Sequence, residues 1–448
     1  MSYDYDVAII GTGTSAYTAA YQCRKAGKTV AIMDRLPYGG TCSLRGCQPK
    51  KYFVAAADAV AKVLKMQKIG VKGVPEIDWT ALMRSKNEFT DNVPDSTENG
   101  FLEEGIKTFY GHARFQSPNK LLVEEQEISS DYIIIATGAE PRKLDIPGED
   151  HLVTSDEFMN LASLPKEIIF IGGGFISFEF AHVANQAGTK VHILQRGNRV
   201  LKSFDPDLVQ KLVESSEESG ISIKTEACVA KIGEKGERFL LHCLEKPGET
   251  FEADMVVHGA GRVPTTDDLD LEKGEVDFSD KGVTVNEYLQ STTNPSVYAI
   301  GDAAATPYRL ATTGDMEGEI AAHNILGGNK FKAEYSAVPA VVFTYPRLSS
   351  VGLSVAGAKE TGKKIRVNFG DMTGWNSSKR IGQKHAAFKV IIDKERDLIL
   401  GAHILGHNAD EAINIFSLAM RHGLTTADLK KTLWAYPTYT SDIKYMIG

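Results

Sequence analysis

Residues 5–34 read YDVAIIGTGTSAYTAAYQCRKAGKTVAIMD: an apolar run, a glycine-rich turn, a mixed stretch and a second apolar run ending in an acid. Short apolar runs bounded by turn residues fit buried strands, and the stretch between them fits a helix, so the segment is a βαβ unit. The turn Gly11-Thr12-Gly13-Thr14-Ser15-Ala16 lets the backbone leave the strand sharply. It also aims a helix N-terminus, with its orphan N–H groups and positive dipole end, at a pyrophosphate. Ala16 stands in place of the third glycine of that motif. Asp34, closing the second strand, is spaced to accept hydrogen bonds from a ribose diol, which predicts a dinucleotide with a free ribose.

The pattern recurs at residues 167–196, EIIFIGGGFISFEFAHVANQAGTKVHILQR. Gly172, Gly173 and Gly174 make the turn, and Phe175 and Ile176 open the helix. No acid closes the second strand. Gln195 and Arg196 stand there instead, followed by Arg199 and Lys202, and such cations fit a ribose 2′-phosphate. Two βαβ units imply two dinucleotide sites and a doubly wound α/β fold.

Between the units lie a helix starting near Pro49, a polar stretch to about Gly100, short strands across 110–123 and a strand ending in Ala136-Thr137-Gly138. PRKLDIPGED, residues 141–150, reads as a linker. Beyond Gly261 come short mixed elements, the strand leading into YAIGDA and a helix over 312–326. From about Ser336 the alternating runs FKVIID and LILGAHIL, with helical stretches around them, predict an α+β module.

Cys42 and Cys47 stand in GGTCSLRGCQPKK, residues 39–51. Residues five apart on a regular helix diverge too far for a relaxed disulfide, so a bridge needs an irregular lead-in, which the glycines and Pro49 supply. Proline suits a first helical turn, so Cys47 lies near a helix N-terminus with Lys50 and Lys51 close by, where a thiolate is favoured. A cysteine pair of this kind directly after a dinucleotide fold predicts a redox site. Cys23, Cys228 and Cys243 read as small buried residues, and His403 and His407 as structural histidines on a strand and turn.

The chain has 448 residues with 42% hydrophobic and 24% charged, ample for several buried cores, and no apolar run reaches membrane-span length. Its net charge of −8 comes with scattered basic residues, against a nucleic-acid partner. Five cysteines in so long a chain are no disulfide framework, and the first residues show no basic leader, so a cytoplasmic location is expected.

GGTCxxxGCxPKK after GxGxxA, with ATG at 136–138, GGGFISFE at 172–179, GAGRVP at 259–264 and YAIGDA at 298–303, resembles the class I pyridine nucleotide–disulfide oxidoreductases. Glutathione reductase, dihydrolipoamide dehydrogenase and mercuric reductase belong to that family. The resemblance runs the length of the chain, through VVFTYPRLSSVGLS and LGAHILGHNADEAIN of a dimerisation domain. It implies two Rossmann-like domains, for FAD and NADPH, plus a C-terminal α+β interface domain. The implied divisions are a FAD domain over 1–147 with a returning segment over 266–335, an NAD(P)H domain over 148–265 and an interface domain over 336–448. It further implies a homodimer in which the C-terminal segment of one subunit completes the site of the other.

Carried over residue by residue, the cofactor contacts fall on Gly11, Gly13, Ser15, Asp34, Gly40, Thr41, Ala113, Thr137, Gly138, Gly172, Gly174, Phe175, Ile176, Arg196, Lys202, Gly261, Gly301, Asp302 and Ala311. The resemblance implies that Asp302 grips the ribityl chain, that Cys47 faces the flavin and that Cys42 attacks substrate. Lys50 paired with Glu179 would stabilise charge arriving on the ring. Arg196 and Lys202 fall where NADPH-using members carry arginines, so NADPH is expected ahead of NADH.

Three departures bear on the acceptor. The family's HPTxxE segment is Tyr436-Pro437-Thr438-Tyr439-Thr440-Ser441 here, so a phenol replaces the catalytic histidine and Ser441 the glutamate. A phenol is a far weaker base near neutrality, though Tyr436 can donate a proton. Tyr21 and Glu319 stand where glutathione reductases place carboxylate-binding arginines, against glutathione disulfide. Mercuric reductases also lack the histidine, yet carry a C-terminal vicinal cysteine pair, whereas this sequence ends KYMIG. The expected acceptor is therefore a small disulfide or other thiol-reactive oxidant; a metal ion, a quinone reduced directly by flavin, and transhydrogenation between nicotinamide cofactors are the alternatives.

Overall fold

A computed structural model describes residues 3–244 and 249–448. The chain forms two compact units. The first comprises Met1–Tyr52, Arg84–Arg142 and Arg262–Tyr335; the second comprises Phe53–Met83, Lys143–Gly261 and Ser336–Gly448. The elements that carry the sites are, in chain order, β1 (Tyr5–Ile10), α1 (Thr14–Lys25), β2 (Val30–Asp34), α2 (Gly40–Leu44), α3 (Cys47–Met66), β3 (Gln126–Ile135), β4 (Glu167–Ile171), α4 (Phe175–Gln186), β5 (Lys190–Gln195), β6 (Met255–His258), β7 (Val297–Ala299) and α5 (Ala311–Gly327).

In the first unit the parallel strands run in the order Lys107–Tyr110, β2, β1, β3, β7, and the antiparallel strands Lys120–Val123 and Ala113–Ser117 extend from β3. Successive side chains of β1 point to opposite faces. Val7 and Ile9 join the cluster with Ala16, Ala19 and Ala20 of α1 and Ala321 and Ala322 of α5, while Ala8 and Ile10 join one with Ala31, Met33, Phe115 and Leu121. Burial on both faces is why the strand is apolar throughout rather than alternating.

The second unit repeats the scheme. Its parallel sheet runs Ile221–Thr225, β5, β4, β6. Ile168 and Phe170 of β4 pack on one core and Ile169 and Ile171 on another. The same unit holds a five-stranded antiparallel sheet in the order Pro339–Val342, Arg347–Gly352, Ile399–Gly406, Ala387–Asp393, Ile365–Asp371. Helix Ala409–Arg421 covers it through Ala412, Ile413, Phe416 and Ala419.

The polar stretch before Gly100 is helical, over Trp79–Thr90 and Val93–Glu103. Scattered charges hide its anchors. Trp79 stacks on Phe53 at 5.2 Å and donates its indole N–H to the carbonyl of Leu161, and Phe101 is fully buried.

Candidate functional site

At the first glycine turn, Gly11 has φ +109, and a Cβ there would strike the carbonyl of Ala136. Gly13 caps α1 and lies against Gly40, whose own φ is +65 and whose Cβ would run into the Gly13 backbone. Only glycine permits both the left-handed conformation and this approach. The result is a bare-backbone cradle at a helix N-terminus. Asp34 braces it: Oδ2 accepts from the Thr12 N–H at 2.9 Å and its hydroxyl at 2.7 Å, and Oδ1 accepts from the N–H of Leu36. The carboxylate expected to read a ribose therefore also holds the turn.

Other expected cofactor residues of this unit sit around that cradle. Ser15 packs on Gly301, whose φ is +64 and whose Cβ would come 2.9 Å from the Ser15 hydroxyl. Gly301 begins the turn bearing Asp302, a carboxyl that burial pushes up and that Arg262 and Arg309 pull back down. Ala311 opens α5, and Thr41 lies in α2. Thr137 donates to the carbonyl of Thr265 at 2.6 Å, the carbonyl of Gly138 accepts from the Thr265 N–H, and Ala113 is buried at a strand start.

The cysteine pair follows directly. α2 ends at Leu44, Arg45 leaves helical geometry at φ −147, and α3 starts at Cys47 itself. Gly46 makes the break possible, because a Cβ there would lie 2.6 Å from the carbonyl oxygen of Thr41. This is the irregular lead-in that the spacing demanded. The structure holds the pair as two thiols, Cys47 exposed and Cys42 half-buried. Cys42 has Cys47 and Thr14 as its immediate neighbours. The neighbouring Cys47 thiol, then burial, push the Cys42 thiol up. Thr14 was not read from the sequence as a site residue; its place as first residue of α1, beside the turn, was the available signal.

At the second glycine turn, Gly172 has φ +103 and a Cβ there would strike the carbonyl of Gly259, and Gly174 caps α4. Gly261, φ +111, follows the neighbouring strand β6. Gln195 does what Asp34 does in the first unit: its Oε1 accepts from the N–H of Gly173 at 2.8 Å. A methyl on Gly197 would touch Gln195 Nε2 at 3.2 Å and Lys202 Nζ at 3.3 Å, so the ammonium lies beside the strand end. Arg196 and Lys202 are exposed, whereas Arg199 donates to the carbonyls of Lys202 and Phe204 and so fixes the loop. Phe175 is exposed at the head of α4, with Ile176 half-buried beside it.

Lys50, in the first unit, is buried on the opening turn of α3; Glu179, in the second, is 1% exposed and accepts from the Phe343 N–H at 3.0 Å. That backbone partner lies 164 residues away and was invisible in the sequence. Tyr436 is 77% exposed. Ser441, at the glutamate position, is buried and turned back onto Thr438, and Asp442 accepts from the hydroxyl of Ser377. Neither is an orienting group for Tyr436.

Residues 5–318 match the pyridine nucleotide-disulphide oxidoreductase family and residues 338–447 match its dimerisation domain. The chain belongs to this family. Among similar curated proteins, a glutathione reductase of Burkholderia cepacia is 30% identical, the match covering 98% of each chain. A mercuric reductase of Staphylococcus aureus is 31% identical over 98% of this chain and 81% of its own. Among solved structures, the HOCl-induced flavoprotein disulfide reductase RclA of Escherichia coli superimposes with a TM-score of 0.89 at 26% identity, covering 99% of both chains. This class I oxidoreductase is thus an enzyme acting on sulfur groups, with FAD and a pyridine nucleotide as cofactors. The side-chain-free cradle at Gly11, Gly13 and Gly40 and the half-buried Asp302 fit FAD in the first unit. No helix among the described residues is long and apolar enough to cross a membrane.

Proposed function

We propose that this enzyme moves electrons from NADPH through FAD to the Cys42–Cys47 pair and on to a small disulfide, or another thiol-reactive acceptor, other than glutathione disulfide. The observation that carries it is the cysteine geometry: two neighbouring cysteines at the break between α2 and α3, Cys47 exposed and Cys42 half-buried beside Thr14. The domain divisions at 147, 265 and 335, a cytoplasmic location and a homodimer whose C-terminal segment completes the partner's site belong to the same proposal.

Bound FAD would accept hydride from the pyridine nucleotide and hand the electron pair to the cysteines. The chain's own residues do the rest. In the first unit the 11–16 turn and Asp34 bind the dinucleotide; in the second, Arg196 and Lys202 meet the 2′-phosphate. The Cys42 thiolate attacks one acceptor sulfur, the acceptor's S–S bond breaks, and a mixed disulfide forms as the first thiolate leaves and takes up the proton that Cys42 gave up. Cys47 then attacks the Cys42 sulfur, closing the Cys42–Cys47 disulfide and expelling the second thiolate, to which the Tyr436 phenol gives a proton, regaining the one that Cys47 loses. Two electrons leave the dithiol and two enter the acceptor.

The Tyr21 ring packs tilted against Tyr17 at 4.4 Å, and Glu319 is exposed on α5. Aromatic and acidic groups favour a neutral acceptor over a polyanionic one. The likeness to mercuric reductases favours a second reading, in which a thiophilic metal ion is the substrate and the same two thiolates bind it.

Turnover of Cys42→Ser and Cys47→Ser with NADPH and a small neutral disulfide tests the proposal. Each variant should lose at least about a hundred-fold. Retained turnover would mean that the flavin reduces the acceptor directly. Because the Cys42 thiol is held up and only its thiolate attacks, the wild-type acceptor rate should climb as pH rises above neutrality. A flat profile from about pH 7 to 9 would contradict that role for Cys42.

A further inference from the structure

Glu317 lies in the middle of α5, fully buried, among small residues of the helix face that includes Thr313, Gly314, Gly318 and Ala321. A buried carboxylate is costly unless every lone pair is used. Here one oxygen accepts from the backbone N–H of Gly301 and the other from the hydroxyl of Tyr335, each at 2.6 Å. Burial still pushes this carboxyl up, with Tyr335 and the Gly301 N–H opposing it. None of the chemistry above uses it.

What it holds is specific. Gly301 is the first residue of the turn Gly301–Ala303, and the next residue is Asp302. On its other side Gly301 meets Ser15 of the first glycine turn, and a Cβ on Gly314 of α5 would reach both Ser15 Cβ, at 3.5 Å, and Gly301 Cα, at 3.6 Å. The turn is therefore clamped between a carboxylate on one side and the pyrophosphate-binding turn on the other. Moving Gly301 would move Asp302 relative to Ser15. We propose that Glu317 is a positioning residue for the cofactor: by fixing the N–H of Gly301 it sets the aim of Asp302 at the ribityl chain of FAD. The proposal rests on the assignment of FAD to this unit and acts only through Asp302.

The test is FAD affinity, measured on apoprotein by recovery of flavin fluorescence on release, together with the melting temperature of the apoprotein, for Glu317→Gln, Glu317→Ala, Tyr335→Phe, Asp302→Asn and the double variants of Glu317 with Asp302. Loss of charge-assisted hydrogen bonds to a buried backbone donor should weaken FAD binding about ten- to a hundred-fold in Glu317→Ala. Glu317→Gln keeps the volume but faces two donors with only one acceptor, and should lose less, about three- to ten-fold. Tyr335→Phe leaves the Gly301 bond intact and should change affinity less than about three-fold. In the Asp302→Asn background the Glu317 substitutions should cost little more. If Glu317→Ala does not fold, the Glu317→Gln pair of measurements decides the matter alone. Unchanged FAD affinity in Glu317→Gln, or losses that multiply with Asp302→Asn, would overturn the proposal even if melting temperatures fall. Unchanged affinity in Asp302→Asn itself would overturn both the proposal and the assignment of Asp302 to FAD.

Discussion

At the first glycine turn the N–H of Thr12 donates to a carboxylate oxygen of Asp34; at the second the N–H of Gly173 donates to an amide oxygen of Gln195, at nearly the same distance. Both acceptors close the second strand of a βαβ unit, both glycine turns need φ above +100 at their first residue, and both first strands split their apolar residues between two cores. The fold repeats while the charge does not. An anion beside a ribose attracts hydroxyl donors and repels a phosphate; a neutral amide flanked by Lys202 and Arg196 does the reverse. Under the proposed function, one position at a strand end would separate two ligands that the backbone alone would treat alike.

The largest way to break this comparison is at Asp34, which holds its turn with two hydrogen bonds from Thr12 and is proposed to read the ribose as well. Asp34→Ala should weaken FAD binding on the order of a hundred-fold, read as flavin retained after gel filtration or as a dissociation constant. Next comes Gln195→Glu, which keeps the acceptor for the Gly173 N–H and adds the first unit's charge. It should raise KM for NADPH by about ten-fold or more while lowering KM for NADH. An unchanged NADPH:NADH ratio would mean that the strand-end residue is not the selector. The smallest effects belong to the exposed cations: Arg196→Ala or Lys202→Ala should raise KM for NADPH about three- to ten-fold each, with KM for NADH unmoved. Equal losses for both cofactors would assign them to the shared pyrophosphate instead.

Much of this was legible in the sequence because it is local. Each glycine turn, its strand-end residue and the break between Cys42 and Cys47 lie within a few tens of residues, and their spacing alone forces the geometry. Long-range partners left no such trace. The carboxylate of Glu179 meets a backbone N–H 164 residues on, and the bond from Gly301 to Glu317 joins two elements that no periodicity links. An acid on a helix face of alanines and glycines was the one hint that Glu317 is buried, and the small residues around it are what let α1 approach so closely. The helices over 79–103 were obscured by their charged faces, since only Trp79, Met83 and Phe101 of that stretch are buried hydrophobics.

Both sites matter only if their electrons reach the cysteines. An anaerobic titration of the flavin-loaded enzyme with NADPH, following the visible spectrum and counting equivalents, tests this most directly. The account predicts that each chain takes up two electron pairs, one on the flavin and one on Cys42 and Cys47, with a long-wavelength thiolate band present after the first. It also predicts that Cys42→Ser takes up only one. Immediate bleaching of the flavin by the first equivalent, with a capacity of a single pair in the wild type, would contradict it.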